Sequence, residues 1–150
     1  MALIRRATAA DAGAAARAYT AARAAAGRML PPPVHTPEED AWFVREILIG
    51  QRATWIALDR GRVVGLMTLD GDWLDQLYLT VRRTGLGSRF IELAKSERPD
   101  GLSLWTFASN TAAQRFYEHH GFIEVERTDG AGNEEREPDI RYRWMPLLVE

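Results

Sequence analysis

The sequence predicts one α/β-type domain over residues 1–150, with helices packed on both faces of a mixed β-sheet. Three observations support this class. Apolar spacing along the chain gives the element order β-α-α-β-β-β-α-β-α-β-β. A length of 150 residues suits one domain with a substantial core. A strand–helix–strand–helix unit in the middle of the chain is typical of a partly parallel sheet.

The composition is that of a globular protein and argues against several classes of function. Apolar residues make up 46% and charged residues 27%. We expect a cytoplasmic protein without a membrane partner, since no apolar run is long enough to span a bilayer and no apolar leader opens the sequence. A net charge of −2 argues against a general nucleic-acid binder. The lack of cysteine excludes disulfides and thiolate chemistry, and the three histidines have no metal-ligand spacing, so no metal is expected.

The first third of the chain predicts one strand and two helices. Residues 4–7 form a short strand, and a capping box of Thr8 and Asp11 opens an alanine-rich helix over roughly residues 9–26. Three consecutive prolines then interrupt the chain. The second helix has Thr36 as N-cap, with Pro37 and Glu39 in its first turn, and ends at Gly50.

The remaining elements are three consecutive strands, then a helix, a strand and a helix, and finally two more strands. A turn of four residues at 59–62 predicts a hairpin, and Gly121 suits the position just after a helix end. The predicted strands are Thr54–Leu58, Val63–Leu69, Leu74–Val81, Leu102–Ser109, Phe122–Thr128 and Ile140–Met145, with helices from Leu86 and from Thr111, the latter capped by Asn110.

The chain is organised around residues 74–96, a buried strand followed by a glycine turn and an amphipathic helix. A glycine turn at the start of a helix lets backbone N–H groups point at a bound phosphate. In open sheets, ligands bind at the carboxyl ends of the strands, where this turn is expected. Phosphate binding is therefore one interpretation of the turn, and a purely structural turn is the other.

Two motifs give the chain a resemblance to the GNAT N-acetyltransferase superfamily. The segment LYLTVRRTGLGSRF resembles the acetyl-CoA pyrophosphate loop of that family. The segment ASNTAAQRFYEHHGF, Ala108 to Phe122, is close to the family pattern N-x-x-A-x-x-F-Y-x-x-x-G-F. The resemblance extends over essentially the whole chain. It implies a mixed, mostly antiparallel central sheet of about seven strands flanked by four helices.

The resemblance also implies a function and a cofactor site. Such proteins move an acetyl group from acetyl-CoA to a primary amine by direct attack, without a covalent enzyme intermediate. The pantetheine arm would lie along the edge of the third central strand, and the diphosphate would bind the glycine turn. The implied cofactor-binding residues are Leu77, Leu79, Arg82, Arg83, Thr84, Gly85, Leu86, Gly87, Ser88, Asn110, Ala113, Phe116 and Tyr117.

Candidates for proton transfer follow from the same comparison. Tyr117 is the predicted general acid, because a phenol keeps its proton at neutral pH and can protonate a departing thiolate. Packing in the core is the alternative role for this tyrosine. Asp75 is the first candidate for the general base, acting through water. The alternatives for the base are Asp72, Glu137, Asp139 and His35.

The predicted acceptor site combines aromatic and charged residues. The candidates are His35, Trp42, Trp73 and Glu137. Acids outnumber arginines between residues 124 and 143, which would favour a cationic amine if this segment borders the acceptor. A solvated loop and ordinary core packing are the alternatives. The acceptor is a small-molecule amine or a protein amine, and a homodimer is possible by analogy with similar proteins.

The glycine turn is about two residues shorter than the family pattern. This motivates a second hypothesis, a non-catalytic acyl-CoA-binding or regulatory module on the same fold. A P-loop or dinucleotide-binding domain is disfavoured. The sequence has no G-K-[ST] and no G-x-G-x-x-G after its first strand, and the element order differs.

Overall fold

The computed structural model describes residues 1–82 and 84–147. The part of the chain that it describes contains a seven-stranded sheet in the order β1-β2-β3-β4-β5-β7-β6. The strands are β1 (Leu3–Arg6), β2 (Ala53–Asp59), β3 (Arg62–Asp70), β4 (Trp73–Leu79), β5 (Leu102–Phe107), β6 (Ile123–Thr128) and β7 (Asp139–Trp144). The helices are α1 (Ala12–Ala25), α2 (Pro37–Trp42), α3 (Leu86–Glu97) and α4 (Thr111–His119).

The sheet is antiparallel except at one position, which confirms the predicted mixed and mostly antiparallel architecture. Strands β4 and β5 run parallel, and their register in the described residues contains one pair, Trp73 with Ser103. The remainder of β4 pairs with β3 on its other side. The two parallel strands therefore separate towards their carboxyl ends and leave a gap in the sheet.

Helices cover both faces of the sheet, as predicted. Phe90 of α3 and Phe122 after α4 are fully buried in the core on one face. Tyr19 of α1 and Leu48 are buried on the other. Side chains alternate along a strand, so Leu77 and Leu79 of β4 pack towards α3 and α4, whereas Tyr78 packs towards α1.

The predicted helix starts agree with the hydrogen bonds. The backbone N–H of Thr8 donates to Asp11 Oδ2 at 2.7 Å, ahead of a short 3₁₀ turn that leads into α1. At α2, the Glu39 N–H donates to Thr36 Oγ1 at 3.2 Å, and the Thr36 N–H donates to Glu39 Oε1 at 3.0 Å. Both capping boxes predicted from the sequence are confirmed.

The second helix changes its winding in a way that apolar spacing did not predict. After α2 the chain continues as a π-helical segment, Phe43–Ile49, up to the predicted end at Gly50. The Gly50 N–H donates to the carbonyl of Arg45, five residues earlier, at 3.1 Å. π-helical turns are rare, and they often occur beside functional sites.

Candidate functional site

A cavity of about 570 Å³ lies at the carboxyl end of β4, and we call it the loop cavity because the glycine turn borders it. Its other walls come from the end of α1, the edge of β4 and the start of α4. The volume lies in the range of small-molecule and cofactor sites. Two of the predicted motifs, distant in sequence, therefore meet at one cavity.

Most of the cofactor-binding residues predicted from the sequence border the loop cavity. They are Leu77, Leu79, Arg82, Thr84, Gly85, Leu86, Gly87, Ser88, Asn110, Ala113, Phe116 and Tyr117. Arg83 lies outside the described residues.

The glycine turn has a local geometry that requires its glycines. Gly85 has φ +76°, a left-handed conformation that side chains with a Cβ rarely adopt. A Cβ at Gly87 would lie 3.1 Å from Phe116 Cζ and 3.3 Å from Leu79 Cδ1. Gly87 thus allows α3 to approach both β4 and α4 closely. The start of α3, where a helix has backbone donors without intrahelical acceptors, is held at the mouth of the loop cavity.

The start of α4 is set by its cap. Asn110 Oδ1 accepts from the Ala113 N–H at 3.1 Å, which confirms the predicted N-cap. The helix places Phe116 and Tyr117 against the core, with their rings 5.3 Å apart in an edge-to-face arrangement. It ends at His119, followed by Gly121 at φ +89°.

Tyr117 has the environment that a neutral proton donor needs. Burial raises the pKa of its hydroxyl above the ordinary value, with a smaller effect from Tyr78. The hydroxyl forms no hydrogen bond to any residue that the structure describes, and its side chain borders the loop cavity. Tyr117 therefore keeps its hydroxyl proton through the neutral range.

A second cavity of about 530 Å³ lies on the other side of Tyr78, and we call it the aromatic cavity. Six aromatic side chains border it: Tyr19, Trp42, Phe43, Tyr78, Trp105 and Phe107. Five carboxylates also border it: Glu39, Asp40, Asp75, Glu134 and Glu135. Arg23 and His35 are its basic residues. Tyr78 borders both cavities.

An arginine and two tyrosines that sequence reasoning missed border the aromatic cavity, and one of them, Tyr78, also borders the loop cavity. Arg23 Nη1 donates to the Tyr78 hydroxyl at 2.7 Å, and its guanidinium carbon lies 5.5 Å from the Tyr19 ring centroid. Burial raises the pKa of Tyr78, against the opposing effect of Arg23. One signal in the sequence was the position of Tyr78 between Leu77 and Leu79, which puts it on the opposite face of β4.

His35 joins two loops across the aromatic cavity. Its Nε2 lies 2.7 Å from Glu134 Oε1, and its Nδ1 lies 3.5 Å from Glu39 Oε2. These hydrogen bonds, that of Glu39 first, raise the pKa of the imidazole. The bridge links the segment before α2 to the loop between β6 and β7.

The candidates for the base occupy different surroundings. Asp75 borders the aromatic cavity, where its Oδ2 accepts from Arg52 Nη1 at 2.7 Å and from Gln76 Nε2 at 3.3 Å. Asp72 pairs with Arg143 at 2.9 Å, away from both cavities.

Of the other residues predicted for the acceptor and base sites, some border the aromatic cavity and some do not. Asp139 accepts from Thr128 and Asn133. Trp42 borders the cavity, but Trp73 and Glu137 do not. Trp73 stacks on Trp105, with ring centroids 6.4 Å apart.

A second contact missed from the sequence joins the two motifs. Ser88 Oγ and His120 Nε2 lie 3.0 Å apart, linking the first turn of α3 to the residue after α4. Burial lowers the pKa of His120, with smaller contributions from His119 and Lys95. The pair fixes the glycine turn against α4.

Within residues 1–82 and 84–147, no helix is long and apolar enough to cross a membrane. The same residues contain no group of three or more histidine or acidic side chains that could hold a metal ion.

Comparison with known proteins places this chain in a family. The family model for the GNAT acetyltransferase domain matches residues 50–124. This chain therefore belongs to the GNAT acetyltransferase family. No curated protein matches the sequence.

Solved structures agree with that assignment. The chain is similar to apo YjaB from Escherichia coli, with a TM-score of 0.77 and 23% identity, over 98% of this chain and 99% of that one. It is similar to the ribosomal-protein-alanine N-acetyltransferase from Brucella melitensis, with a TM-score of 0.69 and 20% identity, over 95% and 99%. A Bacillus anthracis protein solved with acetyl coenzyme A matches with a TM-score of 0.54 and 24% identity, over 63% and 62%. At these sequence identities the structural similarity shows the fold alone.

Proposed function

We propose that residues 1–150 form one acetyltransferase domain that transfers the acetyl group of acetyl-CoA to a primary amine. The observation that carries the proposal is that two neighbouring cavities border the same residue, Tyr78. Acetyl-CoA would bind in the loop cavity and the amine in the aromatic cavity. Direct transfer requires the two substrates to meet, and adjoining cavities permit this.

The residues of the loop cavity fit acetyl-CoA. The edge of β4 that faces the gap has backbone groups available beyond its pair with β5, and an amide-bearing arm can pair with them as an added strand does. The first turn of α3 and Arg82 suit a diphosphate. Acetyl-CoA would supply an activated thioester, and the chain would hold it in place.

Two side chains are proposed to handle protons. Tyr117 would hold its hydroxyl proton until the thiolate leaves, because its raised pKa keeps the phenol neutral. Asp75 would receive the amine proton through water, since its Oδ1 accepts no hydrogen bond from the described residues. Direct attack by the amine needs no nucleophile from the chain.

The test combines binding with turnover. Purified protein is titrated with acetyl-CoA by calorimetry and then assayed for thiol release with a panel of primary amines. The proposal predicts saturable binding and amine-dependent thiol release. No binding at millimolar acetyl-CoA would overturn it.

The short glycine turn motivates a second candidate function. A non-catalytic acyl-CoA-binding or regulatory module would bind acetyl-CoA without turning over any amine. In such a module Tyr117→Phe would leave acetyl-CoA binding unchanged and amine turnover absent, whereas an enzyme would lose rate.

A further inference from the structure

We propose that the acceptor is a diamine, an amine with an apolar body and a second cationic group that does not react. This inference rests on the proposed function and names the substrate class of its acceptor site. It follows from three features of the aromatic cavity: its excess of carboxylates, the engagement of its arginine, and its aromatic walls.

Acidic groups dominate the charge of the aromatic cavity. Its five carboxylates face one arginine and one histidine. Asp75 is paired with Arg52, and His35 bridges Glu39 and Glu134. Asp40 and Glu135 form no ion pair with the described residues. These two acids come from separate elements, α2 and the loop between β6 and β7, and they leave negative charge at the cavity wall.

The arginine is already engaged. Arg23 donates to the Tyr78 hydroxyl at 2.7 Å and lies over the rings of Tyr19 and Tyr78. Asp40 lies close enough to act on its charge. A substrate carboxylate would have to displace these contacts and would also face the acids of the cavity. The geometry therefore disfavours an amino acid acceptor.

Asp40 and Glu135 require a cationic partner, and the reacting nitrogen of the acceptor cannot be that partner during transfer. An amine attacks a thioester only in its neutral form, so the reacting nitrogen gives up its charge before transfer. A second ammonium keeps its charge throughout and can stay paired with Asp40 or Glu135. Exposed aromatic faces, including those of Trp42 and Trp105, add cation–π attraction and cover an apolar body.

The test uses three probes of matched length on the full chain at pH 7.5. Cadaverine is a five-carbon diamine, n-hexylamine replaces its second ammonium with an apolar end, and aminopentanoate replaces it with a carboxylate. Binding is measured by tryptophan fluorescence and calorimetry, so that it does not depend on turnover. We expect cadaverine to bind ~10-fold or more tightly than n-hexylamine, the effect of one charge-assisted contact, and aminopentanoate to bind most weakly.

Two variants test whether Asp40 and Glu135 cause the preference for cadaverine, and a third variant is the control. Asp40→Asn and Glu135→Gln should each weaken cadaverine binding several-fold and leave n-hexylamine binding within about twofold, because n-hexylamine lacks the second ammonium that these carboxylates would bind. Glu38→Gln removes a carboxylate from the same first turn of α2, outside the cavity, and should change neither. Equal binding of the three probes, tighter binding of aminopentanoate, or equal effects of all three variants would overturn the inference.

Failure of the inference is distinguishable from failure of the proposed function. Acetyl-CoA binding with turnover of n-hexylamine and cadaverine at similar kcat/KM overturns the diamine class and leaves the acetyltransferase function standing. Preferential cadaverine binding without acetyl-CoA binding supports the cavity's charge preference and overturns the acetyltransferase function.

Discussion

The two cavities beside Tyr78 are lined by different kinds of chemical group. The loop cavity uses the edge of β4, a glycine turn, the first turn of α3 and small residues such as Ala113. The aromatic cavity uses large aromatic and charged side chains brought together from elements far apart in sequence. Under the proposed function, backbone geometry would recognise the cofactor and side chains would recognise the acceptor. This division agrees with the place of the two sequence motifs, which both border the loop cavity.

The largest effect is expected at the proton donor. Tyr117→Phe should lower kcat by ~10²-fold or more, the usual contribution of a general acid, with acetyl-CoA affinity nearly unchanged. The raised pKa also predicts that this group causes no alkaline fall in rate between pH 7 and 10, since the phenol stays protonated there. Steady-state kinetics and calorimetry check both.

Tyr142→Phe is the matched control. Tyr142 is fully buried, and its hydroxyl donates to Glu118 at 2.7 Å, outside both cavities. Loss of this hydroxyl should lower the free energy of unfolding by ~1 kcal/mol and leave kcat unchanged. Equal losses of kcat in the two variants would argue against a donor role for Tyr117.

The next largest effect is expected at Gly87, where a substitution should disturb the loop cavity and leave the aromatic cavity unchanged. Gly87→Ala places a Cβ against Phe116 and Leu79, so we expect a destabilisation of ~1–3 kcal/mol and weaker acetyl-CoA binding. Amine binding in the aromatic cavity should persist. Gly13→Ala is the control, because a Cβ there meets only Arg17 Nη1 at 3.5 Å. Acetyl-CoA titration and urea unfolding of both variants measure the difference.

A smaller effect is expected from backbone strain at Gly85. Gly85→Ala should cost ~1–2 kcal/mol, because its left-handed conformation, with φ +76°, disfavours a Cβ although the surrounding space is open. Gly85→Asn should cost less, since asparagine enters this conformation more readily. Equal unfolding free energies for the two variants would show that the conformation is not strained.

The smallest effect concerns the bridge across the aromatic cavity. The pKa of His35 is raised above 6.5, so its contribution to stability is complete below pH 6.5 and disappears as pH rises through the raised value. His35→Gln should therefore lower Tm slightly at pH 5.5 and not at pH 9. His119→Gln serves as the exposed control. An NMR titration giving His35 a pKa of 6.5 or less would contradict the bridge.

The predictable parts of the molecule are those with local causes. The element order, the capping boxes at Thr8 and Thr36, and the cap at Asn110 depend on residues a few positions apart. The glycine turn and the start of α4 were also predictable as motifs, and both border the loop cavity. The π-helical winding after Trp42 was not predicted, because apolar spacing does not distinguish it from an α-helix over two turns.

The aromatic cavity was less predictable because its residues meet only through tertiary packing. Trp42 and His35 were predicted for the acceptor site and border it, whereas Tyr19, Arg23 and Glu135 carried no local signal. Trp73 and Glu137 were also predicted for the acceptor site but do not border the cavity, and their role stays a prediction.

The central claim is that the two cavities hold two different substrates, and NMR mapping tests it most directly. Coenzyme A and cadaverine are titrated separately into ¹⁵N-labelled protein. We predict that coenzyme A shifts the amides of Gly87 and Ala113, that cadaverine shifts the indole signals of Trp42 and Trp105, and that both shift Tyr78. Coenzyme A shifts confined to the two indoles, with Gly87 and Ala113 unchanged, would contradict the account.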